Sequence, residues 1–184
     1  MKYGNVVSLI FCICLCGCAV SNFSQMPSIF VDSHKLFTFT APPNWYKYKH
    51  ESKDSTVVMT VDGLELQYIR VAARSTKSNL SNTKRKITKG MVPQELADVF
   101  IDDLKSDHEM MNLEILDNQP ATIREHEGFQ FEYRFITPKG LKKKGVMCGY
   151  LENEQACIVQ YVAAEQVYFQ KDFAAYESVK SSLR

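Results

Sequence analysis

The chain has 184 residues, with 22 lysines and arginines against 21 aspartates and glutamates. That length suits one domain with a substantial core and is short for two. Because the charge is nearly balanced, the chain lacks the strongly basic character that is typical of nucleic-acid-binding proteins, and we expect no nucleic-acid partner.

Residues 1–17 have the organisation of a secretory signal peptide. Lys2 precedes a run of about ten residues, V-V-S-L-I-F-C-I-C-L, in which only Ser8 is polar. That run is too short for a helix that crosses a hydrocarbon core of about 30 Å, which needs about 20 residues. A basic start followed by a short apolar core indicates export rather than a transmembrane anchor.

The segment L-C-G-C at residues 15–18 resembles the lipobox of bacterial lipoproteins. The resemblance implies that residues 1–17 are removed and that Cys18 is thioether-linked to diacylglycerol, which holds the protein at a membrane. Ala19 follows the cysteine in place of an aspartate, and this resembles the pattern for sorting to the outer membrane. We therefore expect a lipid-anchored protein of the bacterial cell envelope, at the outer membrane and facing the periplasm.

The predicted signal peptide contains three further cysteines, at positions 12, 14 and 16. Their C-x-C spacing differs from the C-x2-C spacing of most zinc sites, and they lie in a segment that is expected to be removed. We predict no metal site and no cofactor for this protein.

Residues 18–33 are predicted to form the lipidated cysteine and a tether, because Ser, Asn and Pro interrupt any hydrophobic periodicity. The folded domain is expected over residues 34–184 and opens with the strand K-L-F-T-F-T-A-P-P-N-W. Trp45 is expected to close the end of the sheet. Asp62-Gly63 then lies between two β-rich runs, which predicts a hairpin with a two-residue type I′ turn.

Residues 75–90 are rich in Ser, Asn and Lys and show no core pattern, which predicts a long loop. Pro93 follows at a position suited to the first turn of a helix. The adjacent Asp102 and Asp103 are expected on the solvated side of that helix. Its apolar stripe, which predicts a helix over about residues 94–108, consists of Leu96, Val99, Phe100 and Leu104.

In the second half of the chain, the segment G-F-Q-F-E-Y-R-F-I alternates aromatic and polar residues. This alternation predicts an antiparallel strand with one solvated face. Two apolar runs around E-N-E-Q predict a second hairpin, with a two-residue turn at Asn153-Glu154. The last predicted element is a helix with a stripe of Phe169, Phe173, Tyr176 and Leu183. The order strands, helix, strands, helix predicts an α+β fold in which helices cover an antiparallel sheet.

The second hairpin places Cys148 opposite Val159 and Cys157 opposite Tyr150. The two thiols then share a face as diagonal neighbours, with Cα atoms about 7–8 Å apart. A small change of turn geometry would bring them opposite each other, near the spacing of a disulfide, which an oxidising envelope permits. Two buried free thiols that pack as small apolar side chains are the alternative. The sequence leaves both states open.

The opening strand, the Asp-Gly hairpin, the middle helix and the motif A-T-I-R-E-H-E-G-F-Q-F-E-Y occur in the order found in PsbP-like proteins. A terminal hairpin and the pattern F-x3-F-x2-Y-x2-V-x2-S-L extend the resemblance, which covers about residues 35–184. It implies a PsbP-like sandwich, a fold shared by a photosystem subunit, a Ran-binding nuclear import factor and DcrB-type envelope lipoproteins. Because those roles differ widely, the resemblance supports the fold far more than a function.

Four histidines, at positions 34, 50, 108 and 126, lack the i, i+4 spacing of paired metal ligands. The chain also has no G-x-S-x-G nucleophile motif and no G-x-x-x-x-G-K phosphate loop. We therefore expect no enzyme activity.

One basic cluster in the predicted loop is a candidate contact for an anionic lipid surface. Each such residue is worth about 1 kcal/mol near an anionic membrane. The alternative is ordinary solubilising charge on a loop. The cluster consists of Lys84, Arg85, Lys86 and Lys89.

These features predict a lipid-anchored envelope protein that acts as a non-catalytic accessory or protein-binding subunit. Its expected partners are the membrane, through Cys18, and an unidentified envelope protein. The alternative function is that of a carrier or sensor of a small or lipidic ligand in the periplasm, which requires an apolar pocket between helix and sheet.

Overall fold

The computed structural model describes residues 22–49 and 55–184. The helices are α1 (Pro93–Lys105) and α2 (Tyr168–Ser182). The strands of the described residues are β1 (Phe23–Gln25), β2 (Ile29–Val31), β3 (Thr38–Thr40), β4 (Tyr46–Tyr48), β5 (Ser55–Thr60), β6 (Gln67–Ser75), β7 (Met111–Ile123), β8 (His126–Ile136), β9 (Lys142–Glu152) and β10 (Gln155–Ala164).

The described residues form one eight-stranded antiparallel sheet with the strand order β1-β4-β5-β6-β10-β9-β8-β7, and a separate pair of β2 with β3. One face of the sheet, here called the helix-2 face, packs against α2 and the β2–β3 pair. The opposite face, the helix-1 face, packs against α1 and the segment 76–92. The predicted antiparallel sheet with helices packed on it is confirmed, in a molecule dominated by the sheet.

The strands at the centre of the sheet are buried because layers cover both of their faces. Every residue of β10 from Ala156 to Ala164 is buried. On β8 the predicted alternation is confirmed, with the aromatic residues packed toward α1 and Gln130 and Glu132 on the other side. Such two-sided burial favours continuous apolar runs over simple alternation.

The hairpin between β9 and β10 has the predicted register. Cys148 lies opposite Val159 and Cys157 lies opposite Tyr150. Both turn residues, Asn153 and Glu154, have positive φ angles, of 47° and 63°. A type I′ turn requires this conformation at both central positions, and it matches the twist of the flanking strands.

The predicted two-residue turn at Asp62-Gly63 is wrong, because six residues, 61–66, connect β5 to β6. Thr60 explains the longer connection. Its hydroxyl donates to the carbonyl of Gln67 at 2.7 Å and accepts from the backbone N–H of Gly63 at 2.9 Å. This side chain therefore closes a wider loop, in which only Gly63 of the predicted turn pair has a positive φ.

The predicted tether over residues 18–33 is wrong for the part that the structure describes. Phe23 of β1 pairs with Tyr48, and Phe30 of β2 pairs with Phe39. Phe30 is buried in the core of the helix-2 face. Strands of three residues are too short to show a periodicity in the sequence, which explains why the folded domain begins earlier than residue 34.

Residues 75–90 form a connection without a long element, as expected, but the segment does contribute to the core. Leu80 and Ile87 are only 2% and 1% exposed, and both pack beneath α1. A short β-bridge between Asn79 and Lys86 holds the two together. The expectation that this segment lacks core residues is therefore wrong.

The ends of α1 differ slightly from the prediction. The helix begins at Pro93 and ends at Lys105. The N–H of Asp107 already bonds to the carbonyl of Leu104, which tightens the chain into a turn. Neither helix within residues 22–49 and 55–184 has the length and apolarity of a membrane-spanning segment.

Candidate functional site

Among the described residues, α1 and the segment 76–92 cover only part of the helix-1 face. α1 packs mainly against β7, β8 and β9, so that the same face of β4 and β5 carries no helix among the described residues. The strand register places Phe23 beside Tyr48 and Val58 beside Arg70 on this face. We call the resulting surface the open face, and it consists of Phe23, Tyr46, Tyr48, Val58 and Tyr68.

The open face is mostly aromatic. Tyr46 is 44% exposed, and the rings of Phe23 and Tyr48 lie 5.5 Å apart between centroids. A shallow groove of about 270 Å³ is lined by Tyr48, Val58, Leu64, Tyr68 and Arg70. Aromatic side chains and arginine are enriched at protein interfaces, where their large surfaces are buried with few rotatable bonds.

Next to the open face, a polar cavity of about 180 Å³ lies between β6, β10 and α1. Tyr68 and Arg70 line both the cavity and the groove, so they form the boundary between them. Arg70 lies opposite Gln160 in the β6–β10 ladder. Gln160 is only 1% exposed, and Leu104 of α1 and Met147 of β9 contribute apolar walls.

Two polar atoms at this cavity are buried and have no hydrogen-bond partner within residues 22–49 and 55–184. They are the Nε of Arg70, a donor, and the Oε1 of Gln160, an acceptor. Arg70 forms no ion pair with any carboxylate of the described residues. A buried polar group without a partner costs free energy of about 1–3 kcal/mol, so each atom requires a partner that the described residues do not supply, either a water molecule or a ligand.

Gly145 explains how Gln160 is positioned. Tyr133 lies opposite Gly145, and a Cβ atom there would be 2.3 Å from the Cζ of the tyrosine ring. Because Gly145 has no side chain, the ring lies across β9 and reaches Gln160, whose Nε2 donates to the tyrosine hydroxyl at 2.5 Å. Burial raises the pKa of Tyr133, so its hydroxyl stays protonated and fixes the amide.

Asp102 and Asp103 of α1 bind residues of the adjacent segment 82–85 rather than forming a catalytic pair. The Oδ1 of Asp103 accepts from the backbone N–H groups of Asn82 and Thr83, at 2.8 Å and 2.9 Å. Asp102 forms an ion pair with Arg85. Both carboxylates therefore fasten residues 82–85 to the helix.

The basic cluster is partly matched by carboxylates. Arg85 pairs with Asp102, and the ammonium of Lys89 lies 3.7 Å from Glu154. Lys84 donates to the carbonyl of Ser81, and Lys86 is exposed. The contact of this cluster with an anionic surface stays a prediction.

Cys148 and Cys157 are buried free thiols in this structure, diagonal to each other on the helix-2 face. Burial raises the pKa of Cys148 to about 11 and also raises the pKa of Cys157. At neutral pH both are thiols rather than thiolates, and a thiol is a poor nucleophile. Their pairing in an oxidising compartment stays a prediction.

The histidines that the structure describes have separate environments. His34 bonds to the hydroxyl of Ser55 at 2.9 Å, and His126 stacks on Tyr150 with ring centroids 4.2 Å apart. His108 is exposed, while His50 and Cys18 lie outside the described residues. The described residues contain no group of three or more His, Cys, Asp or Glu side chains that could hold a metal ion.

Trp45 is only 3% exposed and packs in the core of the helix-2 face.

Sequence reasoning missed Arg70 and Gln160. The available signal was a polar residue within an apolar strand, in Y-I-R-V-A-A and I-V-Q-Y-V. Such residues are unremarkable on an alternating strand, so only the two-sided burial of β10 identifies Gln160 as unusual.

The fold is similar to that of several solved structures. CyanoP, the PsbP protein of the cyanobacterium Synechocystis, has a TM-score of 0.60 at 11% identity, with 91% of this chain and 95% of that chain covered. The Ran-binding protein Mog1p of Saccharomyces cerevisiae has a TM-score of 0.58 at 11% identity, with 88% and 96% covered. No family model and no curated protein sequence matches the chain.

A protein of Bacteroides thetaiotaomicron has a TM-score of 0.55 at 12% identity, with 85% of this chain covered. The chain spans only about half of that protein, 47% of its length. At such low identities these likenesses show the fold alone, and the fold is PsbP-like.

Proposed function

We propose that this chain is a lipid-anchored protein of the bacterial cell envelope that binds a partner protein through its open face and catalyses no reaction. The open face carries the proposal, because an aromatic groove that neither described helix covers is a surface on which a partner would bury apolar area. The yeast neighbour is itself named for binding Ran, so a protein of this fold can serve as a binding module.

The anchor is supported by the lipobox-like segment and by the short distance to the first strand. Only residues 19–22 separate Cys18 from Phe23, where β1 begins. The five Cα-to-Cα steps from Cys18 to Phe23 span at most about 17–18 Å, so a lipid on Cys18 would hold the domain against the bilayer. We place the protein at the outer membrane, facing the periplasm, on the basis of Ala19.

The N-terminal strand pair supports an orientation toward that bilayer. Ile29 and Val31 of β2 are 65% and 57% exposed, while Phe30 between them faces the core. Leu36, in the turn to β3, is 39% exposed, and the neighbouring Lys35 is also exposed. Apolar side chains beside a cation suit the boundary between acyl chains and anionic headgroups.

The absence of catalysis is supported by the chemistry of the described residues. The raised pKa values of Cys148 and Cys157 disfavour a cysteine nucleophile. Asp102 and Asp103 are occupied by segment 82–85.

Site-specific photo-cross-linking in intact cells tests the proposed binding surface. A photoreactive phenylalanine analogue replaces Tyr48 on the open face or, as a matched control, Tyr168 at the start of α2. We expect one discrete cross-linked protein from position 48, none from position 168, and loss of the adduct when Val58→Arg places a charge in the groove. Equal adducts from both positions, or an adduct that survives Val58→Arg, would overturn the proposal.

A further inference from the structure

The polar cavity holds a feature that binding on the open face does not use. Arg70 and Gln160 are cross-strand neighbours, and each leaves one buried polar atom without a partner. Gln160 cannot turn away, because its Nε2 is held by the hydroxyl of Tyr133 at 2.5 Å. The wall of the cavity therefore presents a fixed acceptor next to a cationic donor.

We propose that this cavity binds a small carboxylate that carries an N–H on the adjacent carbon, the chemistry shared by a free amino acid and the C-terminal residue of a peptide. A guanidinium has five N–H donors and no acceptor, so Arg70 selects an anionic oxygen, preferably a carboxylate that it can bind with two parallel hydrogen bonds. The Oε1 of Gln160 accepts only, so the group beside that oxygen must be a donor.

The remaining walls fit the rest of such a ligand. Phe100, Leu104 and Met147 supply apolar surface for a side chain, and Tyr68 stands where the cavity meets the groove of the open face. The volume of about 180 Å³ is below the 300–1,000 Å³ of sites for drug-sized ligands. It is also several times the share of about 30 Å³ that one water molecule takes in the liquid.

The charges around the cavity are compatible with a ligand of this class. Arg74 also lines the cavity, two positions beyond Ala72 on the same face as Arg70. Two carboxylates, Asp103 and Asp107, also line the cavity. The Oδ1 of Asp103 accepts from backbone N–H groups of segment 82–83, and the Oδ1 of Asp107 accepts from the backbone N–H of Glu109. Arg70 forms an ion pair with neither of them, so its guanidinium remains available to an anionic ligand.

The test is an NMR titration of the full chain in detergent micelles with three probes: L-leucine, N-acetyl-L-leucine and N-acetyl-L-leucinamide. The Nε–H of Arg70 and the side-chain amide of Gln160 are the reporters. We expect saturable shifts with at least one of the two carboxylates and at least tenfold weaker binding of the uncharged amide. If only leucine binds, the ligand is a free amino acid. If N-acetyl-leucine binds, the ligand is the C-terminal residue of a peptide.

Variants separate a ligand site from a hydrated cavity. Arg70→Met is expected to weaken binding of the carboxylate at least tenfold. The matched substitution Arg134→Met leaves binding unchanged, because Arg134 pairs with Glu114 and does not line the cavity. Should Arg70→Met fail to fold, Arg70→Lys keeps the charge, loses the planar fork and is expected to weaken binding several-fold. The proposal would be overturned if neither carboxylate gave a saturable shift or if the uncharged amide bound equally well. It would also be overturned if the substitutions of Arg70 left the affinity for the carboxylate unchanged. None of these outcomes depends on the lipid anchor or on the open face.

Discussion

Lys143 is the one buried lysine of the described residues, with 7% of its surface exposed. Its ammonium lies 5.9 Å from the centre of the Tyr68 ring and 3.5 Å from the carbonyl of Leu64. Burial lowers the pKa of Lys143, and the nearby carboxylate of Glu65 only partly opposes that effect. The folded state therefore favours the neutral form of the Lys143 side chain over its charged form.

Replacing Lys143 by methionine is expected to stabilise the fold at neutral pH. Because the pKa of Lys143 is lower in the folded protein than in the unfolded chain, the charge opposes folding below the folded pKa. That penalty disappears as the pH rises past the ordinary value of 10.5. We expect a gain of about 1 kcal/mol in the free energy of unfolding at pH 7, or about 2–4 °C in Tm, and a smaller gain at pH 10.5. Thermal melts followed by circular dichroism at both pH values measure it. A Lys143→Met variant that is less stable at pH 7 would refute this account.

Gly145 and Tyr133 form a pair in which one residue makes room for the other. Gly145→Ala places a methyl group within 2.6 Å of the tyrosine hydroxyl, which forces the ring to move away from Gln160. We expect a loss of about 1–3 kcal/mol in the free energy of unfolding, as for other overpacked cores. In a Tyr133→Leu background the same change should cost clearly less, since the residues are in contact. Urea denaturation of the four proteins gives the coupling, and additive losses would contradict the explanation.

The N-terminal strand pair shows why short strands escape sequence reasoning. I-F-V at 29–31 alternates over only three residues, and Phe30 has its partner Phe39 nine residues further on. The strand pair is also held from the far end of the chain. Thr38 and Arg184 exchange two backbone hydrogen bonds of 2.8 Å. Such a contact between distant parts of the chain leaves no local signal.

The orientation of this strand pair can be measured with a fluorophore. A nitrobenzoxadiazole label is attached at Ile29→Cys or, as the control, at Val92→Cys, which starts with a similar exposure of 54% on the other side of the sheet. In lipidated protein reconstituted into anionic vesicles, we expect blue-shifted emission and protection from an aqueous quencher at position 29 only. Equal quenching at both positions would show that the strand pair does not face the bilayer.

The segment between β6 and α1 depends on α1 for its order. Its polar composition hides two core residues, Leu80 and Ile87, because the positions that would complete a helical face between them, Thr83 and Lys84, are polar. Asp103 supplies the hydrogen bonds that fasten residues 82 and 83. The sequence therefore predicts correctly that this segment has no long helix or strand, but it does not reveal that Asp103 attaches the segment to α1.

Asp103→Ala is expected to loosen this segment by removing the acceptor for two backbone N–H groups, at a cost of about 0.5–2 kcal/mol, comparable to the loss of a helix cap. Amide hydrogen exchange over residues 80–87 should accelerate. Asp98→Ala is the matched control, because Asp98 is exposed on the same helix and, among the described residues, its carboxylate accepts a hydrogen bond only from Gln94. Equal exchange in both variants would contradict the role of Asp103.

The molecule as a whole follows the order of elements that the sequence predicts, but how much of the detail can be predicted differs between regions. The hairpin at Asn153-Glu154 is predicted to the residue, because its turn and flanking strands are local. The open face is not predictable in this way, since it exists only because α1 covers β7 to β9 and stops short of β4 and β5. The cavity likewise depends on Arg70 and Gln160, which are 90 positions apart in the sequence and adjacent in the sheet.

The most direct test of the account is native mass spectrometry of the protein extracted from the membranes of the organism that makes it. We predict a chain that begins at Cys18, carries the mass of a diacylglyceryl group and retains one partner protein, which the Val58→Arg variant loses while it keeps the lipid. A chain with an unmodified Cys18, or a wild-type protein that carries no partner, would contradict a lipid-anchored binding subunit.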